Sequence, residues 1–426
     1  MGARIFGDSN LNAEGKVLPL AQFRLYSDMS EAKMPEENAQ RIIAEAEKFL
    51  DEEIPFMPLS LYREFFTVGN RANFESRFFK RRTMALTLAM AEYCEGKGRF
   101  TDKLADVVWA ITEESTWILP AHTIHSPSYP GTSVPEVFGG ERLHGIDLFS
   151  ATTAAAMTAV YKYAGAALEA VSPLITERLV YEIKNRAIRP YINTLFSWTG
   201  AYGNRTNNWN PWINSNILYV AAVLEEDTKV RTEVVKRAMS YLDNFTKWYH
   251  EDGGCDEGAG YWWHAGGSLW DSLETIYDMT GGRIQVYDEP LIRAMGEYIA
   301  KFRIAGNRFA NFADSGATCN PDGELLVRYG ERCGSDILVS LGRVMAKGEV
   351  AIHFRHPYRS IRTLITPIYT GERNEKAAKS VYLPDLQVMI ERESENPESG
   401  LLVAMKGGNN GEFHNHNDVG SLIVYN

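Results

Sequence analysis

Between about residue 35 and 345, apolar positions recur at three- and four-residue spacing, the pattern of helices that bury one face. The segments PEENAQRIIAEAEKFL, KRRTMALTLAMAEYC, DKLADVVWAITEEST, DLFSATTAAAMTAVYKYAGAAL, TERLVYEIKNRAIRPYINTLF and PLIRAMGEYIAKF carry it. Gly, Pro, Asn or Asp punctuates the gaps between them. No strand pattern alternates with these helices, which argues against a parallel α/β sheet. Consecutive helices of this length predict packed helical hairpins, stacked or closed into a toroid, and the lack of a fixed-period repeat argues against a regular solenoid.

After about residue 370 the pattern changes. SVYLPDLQVMIERES, GLLVAMKGG and GSLIVYN are short, β-branched or alternating runs separated by the turn-rich GGNNGEFHNHND, and they predict antiparallel strands. The expected fold is therefore mainly α with a C-terminal β part. Residues 1–372 form the helical domain, and 373–426 the start of a β-domain whose remainder is expected outside this sequence. SPSYPGTSVPEVFGGERLHG, residues 126–145, is too long for a simple turn and is a candidate functional loop.

Composition narrows the partners. The chain has 426 residues and a net charge of −11, which disfavours nucleic acid and anionic membrane surfaces. A polyanionic ligand meets the same repulsion and needs a local basic cluster, for which Arg77, Lys80, Arg81, Arg82 and Arg205 are candidates. No run approaches the ~20 apolar residues of a membrane span, and the first residues lack the apolar core of a signal peptide. A cytoplasmic location is expected unless a leader has been removed. Cys94, Cys255, Cys319 and Cys333 form no C-x-x-C pair and read as free thiols. A homodimer is compatible with the chain.

Three polar clusters could carry chemistry. FHNHNDVGS places His414 and His416 one residue apart, so that in an extended segment both address one face. The alternative is a polar hairpin turn. GNRTNNWNPWINSN interleaves Asn with Trp209 and Trp212 at a helix start, where amides hold carboxylates and indole faces suit sugar rings, although Asn is also a common N-cap. DGGCDEGAGYWWHAGG brings Asp256, Glu257, Tyr261 and His264 into a glycine-rich loop where a phenol can exchange protons, or where the aromatics simply pack into a core. Weaker candidates are Trp117 and His122 in STWILPAHTIH and Asp314 in NFADSG.

Taken in order, the Asn/Trp helix start, the DEGAGY loop and HNHNDVGS resemble the heparinase II/III-like family of polysaccharide lyases, over roughly residues 100–426. The resemblance implies an (α/α) toroid followed by an antiparallel β-sandwich, incomplete in this chain, with a glycan cleft between them. It implies Tyr261 as general acid, and often base; His414 as a cleft histidine; and His416 as a ligand of a structural zinc whose other ligands are expected beyond residue 426. It also implies Asn208 as binder of the uronate carboxylate, with Asn207 beside it. Where relatives carry Asn-His, this chain has Asn208-Trp209, and Trp accepts no proton. Asn207, Trp209, Arg205, Glu257, His122 and Trp117 are the expected substrate-binding side chains.

The implied reaction is β-elimination on an acidic, uronate-containing polysaccharide: the C5 proton is removed while donors stabilise the developing charge, and a proton is delivered to O4. A uronyl C5-epimerase shares the first step. A toroidal glycoside hydrolase would use paired carboxylates among Asp256, Glu257 and Asp314. A non-catalytic glycan-binding protein is the third alternative.

Overall fold

The computed structural model describes residues 4–7, 12–30, 32, 34–125, 130–135, 143–346, 352–366, 369–371, 377–417 and 419–426. Much of the candidate loop 126–145 lies outside them. The helices are α1 (Glu36–Leu50), α2 (Leu59–Val68), α3 (Ala72–Glu95), α4 (Thr101–Thr112), α5 (Leu148–Val171), α6 (Pro173–Ile183), α7 (Arg189–Asn193), α8 (Trp209–Leu224), α9 (Thr228–Thr246), α10 (Gly266–Thr280), α11 (Pro290–Phe302), α12 (Gly323–Cys333), α13 (Asp336–Met345) and α14 (Pro357–Ile365).

These helices form two layers. α5 buries every residue from Leu148 to Val160, and α8 every residue from Asn210 to Ala222. A helix apolar or satisfied all round belongs inside. α3, α5, α8 and α10 pack side by side in chain order, while α1 covers α3, α6 covers α5 and α9 covers α8. The N-terminal segment crosses the outside: Phe6 N–H donates to Asp243 (2.8 Å) and Tyr26 N–H to Asp278 (2.7 Å).

Two departures from the periodic pattern have local causes. TERLVYEIKNRAIRPYINTLF is interrupted by a π-helical turn, Lys184–Ile188, just ahead of Pro190, whose missing N–H and ring deny a regular helix at that point. A short antiparallel ladder, β1 (Arg303–Ala305) with β2 (Arg308–Phe309), lies inside the helical region, and helix persists as far as Ile365.

The C-terminal strands β3 (Ser380–Leu383), β4 (Val388–Arg392), β5 (Leu402–Lys406) and β6 (Ser421–Tyr425) make one antiparallel sheet in sequential order. Val381, Ile390 and Ala404 align across it and are buried. On the opposite face Tyr382, Met389, Met405 and Leu422 align, and Tyr382, Met405 and Leu422 are exposed. The sheet is tied to the helices by polar contacts. Asp252 accepts the N–H groups of Asp385 (2.7 Å) and Leu386 (3.1 Å), Asp385 accepts Glu251 N–H (2.9 Å), and Arg392 donates to Ile304 O (2.9 Å). All four cysteines are free, Cys255 and Cys319 being buried. Among the described residues, no helix is long and apolar enough to cross a membrane.

Candidate functional site

α8 starts where its sequence predicts. Asn207 Oδ1 accepts Trp209 N–H (3.2 Å), Pro211 fills the first turn, and Trp212 N–H reaches Asn208 O (3.1 Å). Much of the Asn content serves the interior: Asn210 donates to Tyr241 O (2.8 Å), Asn214 to Asn210 O (2.8 Å) and Asn216 to Trp212 O (3.0 Å). Asn208 is buried, and both its backbone N–H (3.2 Å) and its side-chain amide donate to Glu257. The amide assigned by resemblance to a substrate carboxylate is thus engaged by an internal one. Asn208 Oδ1 is buried and has no hydrogen-bond partner among the described residues.

The loop carrying Glu257 and Tyr261 is pressed against residues 312–315. Gly258 has φ +86°, and a Cβ there would stand 2.3 Å from Phe312 O; Gly260 N–H donates to Ser315 Oγ (3.0 Å). Beside it, Asp256 is held by His250 and Arg205, and Arg205 also lies 4.6 Å over the Phe413 ring. Burial pushes the Asp256 carboxyl up, but His250 and Arg205 carry it below its ordinary value. Burial raises the Glu257 carboxyl, against the opposing pull of His414 and Asn208.

His414 and His416 both meet Asp314. His414 Nδ1 lies 2.5 Å from Asp314 Oδ2, and His416 Nε2 contacts the other oxygen. His414 Nε2 is 3.7 Å from Glu257, and its ring stacks on Tyr261 with centroids 4.6 Å apart and planes at 27°. His414 (φ 55°) and Ala313 (φ 55°) both hold left-handed backbone, a sparsely populated region for residues with a side chain, at the two ends of this contact. Segments more than 150 residues apart in sequence thus converge: Asn208, Glu257, Tyr261, Asp314 and His414 form one cluster where the helices meet the C-terminal sheet. The Tyr261 phenol is pushed above its ordinary value by burial, then by Asp314 and Glu257, with Arg355 and Arg71 opposing.

No family model matches the chain, and no curated protein matches it. Among solved structures it resembles an alginate lyase from Bacteroides ovatus, with TM-score 0.49 and 10% identity over 85% of this chain and 99% of that one.

An aromatic wall extends the cluster. Tyr261 meets His264 edge-on (6.1 Å), His264 stacks flat on Trp212 (3.9 Å, 8°), and Trp212 meets Phe149 (5.7 Å). His122 lies between Phe149 (5.9 Å) and Trp209 (4.7 Å), its Nδ1 fixed by Asp147 (2.8 Å), the residue that caps α5. The exposed Arg355 sits over Phe79 and Phe149, 5.6 and 5.9 Å from their ring centres. Arg355, His356 and Tyr358 lie outside the three polar clusters of the sequence. Their only signal is HFRHPYR, a His- and Arg-rich run spanning the proline that opens α14.

Two expectations need correction. Trp117 is not a substrate-binding side chain: it is 1% exposed, its indole N–H donates to Ile111 O (3.0 Å), and Arg186 covers its ring. Arg81 and Arg82 are not a ligand-facing basic patch but converge on Glu114 (3.0 and 2.8 Å), while Lys80 pairs with Glu52 (3.0 Å) and Arg77 donates to Phe56 O (2.8 Å). His416 and His414 share Asp314, and a structural zinc on His416 would need further donors to reach four. Among the described residues, three metal-capable side chains converge at His250, Asp252 and Asp385 instead, but Asp252 and Asp385 are engaged by backbone N–H groups and His250 by Asp256.

Proposed function

We propose that this protein is a polysaccharide lyase that cleaves a uronate-containing glycan by β-elimination in the cleft beside Tyr261. The observation that carries the reading is the stacking of Tyr261 on His414, with Asp314 on His414 Nδ1. Asp314 accepts the Nδ1 proton, so a neutral His414 carries its lone pair on Nε2, the arrangement of a general base. The raised phenol of Tyr261 keeps its proton at neutral pH, which suits it to protonate O4 as the bond breaks and makes it a poor base. His414 Nε2 takes the C5 proton, and the nearby Glu257 stabilises the imidazolium that forms. Asn208 then positions Glu257, while Asn207 and Arg355 meet the uronate carboxylate.

This reading includes the finer architecture, an (α/α) toroid over residues 1–372 with a β-domain from 373. The carboxyl geometry favours it over a hydrolase: Glu257 is engaged by Asn208, Asp256 by His250 and Arg205, and Asp314 by two histidines. Among these three carboxyls that leaves no free pair to flank a glycosidic bond. The test is to incubate the protein with heparan, chondroitin, hyaluronan, alginate and ulvan oligosaccharides and follow near-ultraviolet absorbance of the unsaturated uronate. Tyr261→Phe is expected to lower kcat by about 1,000-fold while KM stays within a few-fold. New reducing ends without absorbance would replace this reading with hydrolysis, and near-normal turnover by Tyr261→Phe would remove its acid.

A further inference from the structure

Behind Tyr261 a chain of hydrogen bonds runs from His264 into the helical core. His264 Nδ1 lies 2.9 Å from His356 Nε2, His356 Nδ1 lies 3.2 Å from the Tyr358 hydroxyl, and that hydroxyl lies 2.9 Å from Ser215 Oγ. Ser215 Oγ in turn reaches Trp212 O at 3.0 Å. The far end fixes the direction of every proton, because a backbone carbonyl only accepts. Ser215 gives its proton to Trp212 O, which also accepts from Asn216 Nδ2 (3.0 Å), and Ser215 Oγ accepts from Tyr358. The Tyr358 proton is then committed, so its oxygen accepts His356 Nδ1–H. A neutral His356 is left with a lone pair on Nε2, which accepts His264 Nδ1–H. The chain therefore ends with the lone pair of a neutral His264 on Nε2.

The surroundings keep both rings neutral. Burial holds His356 well below its ordinary value, followed by Arg359, His264, Arg355 and His353. Burial does the same for His264, followed by Arg359 and Arg355. Stacking on Trp212 at 3.9 Å fixes the His264 ring plane, and the residue is half-buried next to Tyr261. So weak a base is poorly suited to proton abstraction. A fixed, uncharged acceptor has another use in a sugar site: it accepts a hydrogen bond from a hydroxyl and disfavours a carboxylate.

We propose that His264 Nε2 is a built-in hydrogen-bond acceptor for a ring hydroxyl, O2 or O3, of the sugar bound beside Tyr261, making His264 a specificity-determining residue. This rests on the reading of the cleft as a glycan site, and the tests separate the two. With 15N-labelled histidine, the His264 Nε2 signal of the ligand-free protein should have the shift of a bare ring nitrogen, unchanged over about pH 6 to 8. Ser215→Ala removes the acceptor for the Tyr358 proton and frees the chain to reverse, so His264 Nε2 should gain a proton. A protonated Nε2 in the unaltered protein would overturn the assignment whatever the activity.

The ligand arm uses Tyr261→Phe, which holds substrate without turning it over. A uronate oligosaccharide should bind about tenfold more tightly than one of its 2-deoxy or 3-deoxy analogues, and His264→Phe in the same background should abolish the difference. Equal binding of all three sugars to a protein whose unaltered form is an active lyase would sink the inference alone. A bare Nε2 with a deoxy effect but no unsaturated product would sink the lyase reading alone.

Discussion

Asp314 is the residue on which the cleft's proton inventory turns, because one carboxylate accepts from two imidazoles. Asp314→Asn keeps the shape but can present an amide donor to His414 Nδ1, which leaves the proton on Nε2 and disables the base. The expected result is a kcat lowered by about 100- to 10,000-fold with little change in KM. Steady-state rates on the cleaved oligosaccharide check it, and a variant at more than a tenth of normal kcat would exclude His414 as base. A second titratable group acts on stability instead. Burial raises the Asp278 carboxyl to about 7, with Tyr26 N–H, Arg332 and Arg362 opposing. The folded protein therefore binds this proton more tightly than the unfolded chain, whose value is near 3.8, and the stability due to it is lost as pH rises from about 4 to about 7. Asp278→Asn keeps an acceptor for Tyr26 N–H and removes the titration. Its stability relative to the unaltered protein should climb across that window and level off above it, as read by denaturant unfolding at several pH values.

At the scale of elements, the site depends on how closely the loop holding Tyr261 lies against residues 312–315. Gly258→Ala demands positive φ of a residue with a side chain and drives its Cβ to within 2.3 Å of Phe312 O. A loss of about 2 to 4 kcal/mol is expected, with activity falling further than stability because Tyr261 and Asp314 move apart. Thermal unfolding alongside turnover would show it, and an unchanged melting point would mean that the loop has room to give. Elements whose order is local were legible in the sequence. PLIRAMGEYIAKF is α11 as read, since Pro290 opens it and the apolar spacing closes its face. The π turn before Pro190 and the three-residue strand Arg303–Ala305 were not legible, because each is set by neighbours in space. The site divides in the same way. Tyr261, Glu257 and His414 stand out because Gly- or Asn-rich loops carry them, whereas Trp117, in a segment with neither Gly nor Asn, turned inward and His356 lay unmarked beside a helix start.

At the scale of the whole molecule, the four-stranded sheet has apolar rows on both faces, and only one is covered by helices. Tyr382, Met405 and Leu422 cross the outer face, and β6 leaves one edge of the sheet unpaired among the described residues. Two such molecules attract through these surfaces while their net charge of −11 keeps them apart. That repulsion reaches about 30 Å at 0.01 M ionic strength and about 3 Å at 1 M, whereas the attraction needs no counterion and outlasts the screening. Residues 1–426 taken by themselves should therefore behave as a colloid stabilised by charge: monodisperse in dilute buffer, and associating as sodium chloride is added. Light scattering across a salt series reads this directly. Leu422→Lys should shift the onset to higher salt, and a particle size independent of ionic strength would mean that the outer face of the sheet is inert.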